Sequence, residues 1–209
     1  MEKVALSISN PLSYLVASGV KWVENRSWST DYRGRVFIHS SGDCLCDMLY
    51  ERDLRGVDLK GSYAALEKYV DVAQDANADD IPEEEFERLI GDAVRRGVED
   101  GLDEARDVKA FGDGMRRLNE FCDKFYSARG YKDLEDAKRG SLVKERGYAL
   151  TNFAIIGCAD LVDIRRDCRS AWAENGMYHW ILDNPVLFRK PFENVKGKLR
   201  LWDCSHIIG

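Results

Sequence analysis

From Gly19 to Trp28 the chain reads Gly-Val-Lys-Trp-Val-Glu-Asn-Arg-Ser-Trp. An ammonium, a carboxylate, a guanidinium and two indoles thus fall in one short stretch. If the stretch is extended, alternate side chains share a face. Glu24, Arg26 and Trp28 then line one side, with Trp22 at its start. Lys21 bends over the same side if the strand entry is bulged. Such a face is a cradle for a flat polar ligand. An indole stacks on a base. A guanidinium grips phosphate or carbonyl as a fork. The carboxylate fixes that guanidinium or accepts from an exocyclic amine. The same residues also fit a surface ion pair beside a core tryptophan.

Other reactive residues are weaker candidates. His39 ends a strand and is followed by Ser40 and Ser41. A serine–histidine nucleophile needs a third orienting group, and no nucleophile-elbow glycine pattern surrounds these residues. The hydroxyls of Ser40 and Ser41 suit the lining of a cleft, bonding a base or a phosphate. His179 alternates with Tyr178 and Trp180, which gives it the opposite strand face and a structural or solvent-facing place. The six cysteines form no CxxC pair. Cys44-x-Cys46 with His39, and Cys204 with His206, carry soft-metal ligand types. A structural zinc site takes two well-spaced ligand pairs, so free thiols are expected. Asp75, Asn77 and Asp79 imitate the start of a calcium loop. Asp80, however, stands where its turn needs glycine, and Phe86 where a bidentate glutamate belongs. Glycine-rich phosphate loops are absent from the sequence. No metal and no cofactor is expected.

The elements that position these residues follow from composition and pattern. With 209 residues, 44% of them apolar, the chain builds one buried core or a core with a large insertion. The net charge of −6 excludes a uniformly basic nucleic-acid coat. No stretch approaches the roughly 20 apolar residues of a membrane span. MEKVALSISNPL shows no apolar h-region, so a cytoplasmic location with reduced thiols is expected. Residues 43–140 hold 26 acids against 16 bases, while the rest holds 11 against 15. The acidic block is also helical in pattern. Tyr63, Leu66, Val70 and Ala73 recur at helical spacing. Phe86, Leu89, Ile90, Ala93 and Val94 follow Pro82 and three glutamates. Val108, Phe111, Met115, Leu118, Cys122 and Phe125 form a third stripe, ended by Gly130. Gly97 and Gly101 are expected to break the chain between the second and third helices.

The flanks read as strands: Val4-Ala5-Leu6-Ser7-Ile8, residues 21–28, Arg35-Val36-Phe37-Ile38-His39, residues 149–162, 177–182 and 198–202. A helix from Pro11 to Ala17 is stopped by Gly19. The expected fold is α+β, a small mixed or antiparallel β-barrel built from residues 1–42 plus 147–209. An acidic helical insertion, 43–146, interrupts it. An insertion this long is a lid, a docking element for a basic protein partner, or a decoration packed on the barrel.

Several strings of residues resemble the ASCH domain family, a branch of the PUA-like β-barrel superfamily. They are Leu6-Ser-Ile8 before Pro11, then Gly19-x-Lys21-x-x-Glu24-x-Arg26-Ser-Trp28, then YRGRVFIHSS from Tyr32. Later come Ala154-Ile-Ile-Gly157-x-Ala159-x-Leu161-x-Asp163, Tyr178-x-Trp180-x-Leu182, and Pro191 with Gly197-x-Leu199. The resemblance covers about residues 4–42 and 147–203. It implies a PUA-like barrel with a cleft lined by residues 21–28, binding RNA or a modified nucleoside. Some members hydrolyse the amide of acetylated cytidine nucleosides, and at least one type cleaves RNA. In the small amidohydrolases a lysine, a threonine three residues on and a later glutamate act together. Lys21 matches the lysine, Glu24 stands where the threonine would be, and Glu174 is the nearest match to the later glutamate. The resemblance thus implies Lys21, Glu24 and Glu174 as the catalytic group of an amidohydrolase or ribonuclease, with Arg26, Trp28, Ser40 and Ser41 binding the ligand. With Glu24 beside it, Lys21 suits phosphate or carbonyl binding, and Glu24 or Glu174 is left to activate water.

Overall fold

A computed structural model describes residues 2–41, 59–70, 82–128, 130–132, 136, 151 and 153–209. Six strands form one mixed sheet: β1 (Val4–Ser9), β2 (Val23–Arg26), β3 (Gly34–Ser41), β4 (Ala154–Arg165), β5 (Tyr178–Phe192) and β6 (Leu201–Asp203). Their order is β2-β5-β4-β3-β1-β6. Only β1 and β3 run parallel, with Leu6 opposite Ile38 and Ser7 opposite His39. The sheet curls into a half-barrel whose edge strands are β2 and β6. Three register shifts between β4 and β5, near Gly157, Asp160 and Asp163, account for the curl, because an extra residue bends a strand and increases its twist.

The first helix, α1 (Leu12–Ser18), is buried from Ser13 onward and packs on β3, β4 and β5. Gly19 ends it in a left-handed conformation (φ 86°) that side chains disfavour, and its N–H caps Leu15 and Val16 carbonyls. Between β3 and β4 stand α2 (Lys60–Leu66), α3 (Glu83–Glu99) and α4 (Asp103–Ser127). A four-residue helix, α5 (Ser205–Ile208), ends the chain. The apolar stripe of α4 enters the main core. Leu118, Phe121, Cys122 and Tyr126 lie among Leu6, Tyr14, Leu15, Ile38 and Trp180. Leu66, Val94 and Ala105 make a second, smaller core among the three helices. The helical segment therefore shares the core of the sheet.

Two details differ from the sequence expectations. Gly97 does not break the chain but lies inside α3, where a Cβ would stand 2.6 Å from that of Ala105. Its missing side chain is what lets α3 approach α4. Gly101 alone, at φ 75°, makes the turn. Strand β5 continues past Leu182, where the sequence reading ended it, to Phe192. Asn184 takes a positive φ of 47° and bonds Asp160 at 3.0 Å, so the strand bends there and continues.

Docking of α4 depends on Gly114. A Cβ there would lie 2.3 Å from the backbone nitrogen of Val20, which cannot move without disturbing the turn before β2. Gly114→Ala is expected to cost about 1–3 kcal/mol of stability. Gly112, on the same helix with nothing within 4 Å, is the control. Gly112→Ala is expected to gain about 0.5–1 kcal/mol from helix propensity. Urea unfolding of the two variants side by side checks both signs.

Candidate functional site

Lys21 leaves the α1 turn with its N–H on the Leu15 carbonyl, 3.0 Å away, just before β2 begins. Its stem folds back along the chain. Nζ donates to the Val23 carbonyl at 2.6 Å and to Glu24 Oε2 at 2.7 Å. Glu24 Oε1 holds the Arg26 guanidinium at 3.0 Å. The same guanidinium nitrogen of Arg26 donates to the Ser7 carbonyl at 3.0 Å. Strand β6 pairs with Val4, Ala5 and Leu6, and Ser7 lies one residue beyond. Arg26 thus reaches from edge strand β2 to β1, near the opposite edge, and ties together the two ends of the curled sheet. Lys21 and Glu24 are 4% and 6% exposed, while the Arg26 side chain is 21% exposed. Arg26 Nε is buried and has no hydrogen-bond partner.

Trp28 follows on the same face. It is half-buried and meets Trp180 nearly at right angles, with ring centroids 4.7 Å apart. Trp180 stands opposite Glu24 in the β2–β5 register, and Tyr178 opposite Arg26. Cross-strand partners share a face, so the ionic chain and these aromatic rings lie on one face of the sheet, with Trp180 buried beneath it. Four of the residues read from the sequence, Lys21, Glu24, Arg26 and Trp28, are gathered here.

Ser40, Ser41 and Glu174 are not part of this group. Buried Ser40 donates to Asn10 Oδ1 at 2.6 Å and accepts from Ser13 at 3.0 Å. Ser41 donates to the Ile8 carbonyl at 3.2 Å. Both secure the corner between β1 and α1. Glu174 is exposed and bonds Asn25 twice, accepting at 3.3 Å through Oε1 and donating through its backbone N–H at 3.1 Å. Asn25 alternates with Glu24 and Arg26, so Glu174 lies across β2 from them. Trp22 also turns away from this group. Its indole donates to Asp107 of α4 at 2.8 Å, and Arg106 stacks on its ring at 4.1 Å.

Asp107 was not visible as a key residue in the sequence. It is fully buried and accepts from Trp22, from Ser170 at 2.5 Å, from Ala171 N–H at 2.7 Å and from Ser62 at 3.3 Å. Burial pushes its carboxyl above the usual aspartate range, against the pull of these four donors. One side chain thereby joins α4, α2, the start of β2 and the loop before β5. The available signal was its place one turn before Phe111 on the buried stripe of α4.

His39 and His179 are structural. His39 is buried, with Nε2 on the Val195 carbonyl at 2.9 Å, and burial holds its pKa below the usual histidine value. His179 is buried too, not solvent-facing, with Nε2 on the Glu174 carbonyl at 2.9 Å. Burial raises the Cys168 thiol to about 12 and that of Cys204 to about 11, which keeps both protonated and unreactive. Among the described residues no three His, Cys, Asp or Glu side chains gather as a metal site, and no helix is long and apolar enough to cross a membrane. Cys44, Cys46 and the Asp75-Asn77-Asp79 stretch lie outside the described residues.

A cavity of about 450 Å³ lies on the other side of Lys21, between α4 and the β5 bend. Its guanidiniums are already engaged. Arg106 bonds the Leu182 carbonyl at 2.8 Å, Arg117 the Ser18 carbonyl at 2.5 Å, and Arg165 pairs with Asp103 at 2.9 Å. These bonds fasten α4 to α1 and to the sheet. No protein-family model matches the chain, and no curated protein matches it.

Proposed function

We propose that this chain is an ASCH-type, PUA-like barrel that binds RNA or a modified nucleoside in the cleft lined by Lys21, Glu24, Arg26 and Trp28. The observation that carries this reading is the state of Arg26. Its guanidinium is held in place by Glu24 and the Ser7 carbonyl, partly open to solvent on the face that carries a half-buried indole. A preoriented donor next to an aromatic face suits a phosphate or base carbonyl with its base stacked alongside. Binding is favoured over hydrolysis of acetylated cytidine or RNA. The Lys21 ammonium already has two acceptors, Glu24 replaces a hydroxyl, and Glu174 faces away.

Fluorescence anisotropy with a labelled single-stranded RNA, supplemented by calorimetry with acetylated cytidine, tests the proposal. Arg26→Ala and Trp28→Ala are each expected to weaken binding by about tenfold or more, one charge-assisted bond or one stacked base being lost. Thermal unfolding by circular dichroism confirms that the variants remain folded. Affinity retained in both variants overturns the proposal. Release of acetate from acetylated cytidine, lost in Lys21→Ala, would favour the hydrolase instead.

A further inference from the structure

We propose that Trp28 and Arg200 are the two jaws of a clamp that takes one unpaired nucleobase between them; this rests on the RNA-binding reading and adds its geometry. The Arg200 guanidinium carbon lies over the Trp28 ring, 5.7 Å from its centroid. Two other guanidinium–ring pairs among the described residues are closer: Arg106 over Trp22 at 4.1 Å and Arg166 over Tyr178 at 4.2 Å. The Arg200 pair is the longest of the three and lies at the outer limit of cation–π reach. A base sandwiched between two planes needs roughly 7 Å, twice the 3.4 Å rise between stacked bases. A base enters by displacing Arg200 outward from the ring, at a position where its side chain is exposed.

The surrounding loop favours such a movement at its tip only. Its base is fixed. The Val195 N–H bonds the Phe153 carbonyl at 2.7 Å, and its carbonyl meets His39. Gly197 packs so closely on the His39 ring that a Cβ would stand 2.5 Å from it. Ser7 Oγ holds the Lys198 carbonyl at 3.0 Å. Beyond that anchor Leu199 is 92% exposed, and Arg200, also exposed, turns the chain into β6 with a φ of 60°. That left-handed conformation is uncommon for a residue with a side chain. Ser7 is shared by both halves of the site. Its carbonyl accepts from Arg26, and its hydroxyl fixes the loop that carries Arg200. A base in the clamp would thus have the partly exposed Arg26 guanidinium on the Ser7 side, toward its sugar–phosphate or its carbonyl edge.

The ligand class follows from the two planes. A base held on both faces cannot also be stacked in a helix, so the clamp selects single strands, ends and free nucleosides over duplex. Every base has a π-face, so the clamp itself is tolerant of sequence.

The test titrates the full chain with a single-stranded hexaribonucleotide and with its duplex, reading tryptophan fluorescence and affinity. Wild type is expected to show quenching that disappears in Trp28→Phe, and to bind the single strand about tenfold more tightly than the duplex. Arg200→Ala, at an exposed position, is expected to lose about tenfold in affinity, with partial rescue by Arg200→Lys and no effect of Leu199→Ala. Wild-type affinity in Arg200→Ala, with affinity lost in Arg26→Ala, overturns the clamp and leaves the cleft reading intact. Equal affinity for strand and duplex also overturns the clamp. No binding of either probe by the wild type overturns both.

Discussion

Glu24→Ala is expected to lower the free energy of unfolding by about 3–5 kcal/mol, because one substitution strands two cations. Lys21 is almost wholly buried and would keep only the Val23 carbonyl, while Arg26 would keep only that of Ser7. Removing one partner of a buried ionic group costs more than the intact group ever contributed, since the remaining charge stays desolvated. Urea unfolding followed by tryptophan fluorescence measures the loss. Lys21→Met is expected to cost less, because Glu24 still has Arg26 at 3.0 Å. The Lys21→Met, Glu24→Leu double variant is expected to be more stable than Glu24→Ala, having exchanged the most deeply buried pair for apolar volume. A Glu24→Ala variant within 1 kcal/mol of wild type would mean that these charges are solvated and that the site is less ordered than described.

Asp107→Ala is expected to cost about 2–5 kcal/mol by a different route. The Trp22 indole N–H and the Ala171 N–H cannot reorient, so both lose their acceptor inside the core. The Ser62 and Ser170 hydroxyls lose theirs as well. The same residue carries a pH signature. Its native pKa is raised by burial above the roughly 3.9 of an unfolded aspartate. The native state therefore keeps this proton at pH values where the unfolded chain has released it. The contribution is fully present below about pH 3.9 and is lost as pH rises through the raised native value. Asp107→Asn removes this titration and also loses acceptor capacity, since an amide offers one oxygen to four donors. Its stability is expected to be lower than wild type at every pH, with the gap narrowing from pH 4 upward. A gap independent of pH would show that the carboxyl titrates normally.

What the sequence made legible was short-range. Gly19 as a helix stop, the Arg35-to-His39 strand and the helices after Pro82 and Gly101 are local decisions of backbone conformation and apolar period, and each lies where those signals put it. Lys21, Glu24 and Arg26 come together because their bonds span at most three residues along the chain. The features that were not legible depend on tertiary contact. Gly97 looked like a breaker because only the approach of Ala105 explains it. Strand β5 outruns the 177–182 stretch read from the sequence because β4 supplies partners beyond Pro185, Val186 opposite Cys158 and Leu187 opposite Gly157. Ser40 and Glu174 carry suitable chemistry, but Asn10 and Asn25 hold them elsewhere. Asp107 hid as one acid in an acidic block, since its burial comes from Trp22, Ser62 and Ser170 in three separate segments.

The central claim is that Arg26 and Trp28 face one ligand together. Side-chain nitrogen-15 NMR observes both directly, through the Arg26 Nε–H and the Trp28 indole N–H, during titration with a single-stranded RNA hexamer. The account predicts that these two resonances shift along the same saturation curve, while the Trp22 indole, bonded to Asp107 on the far side, stays in place. Resonances of Arg26 and Trp28 that remain fixed while the RNA binds, or that move with different affinities, would contradict it.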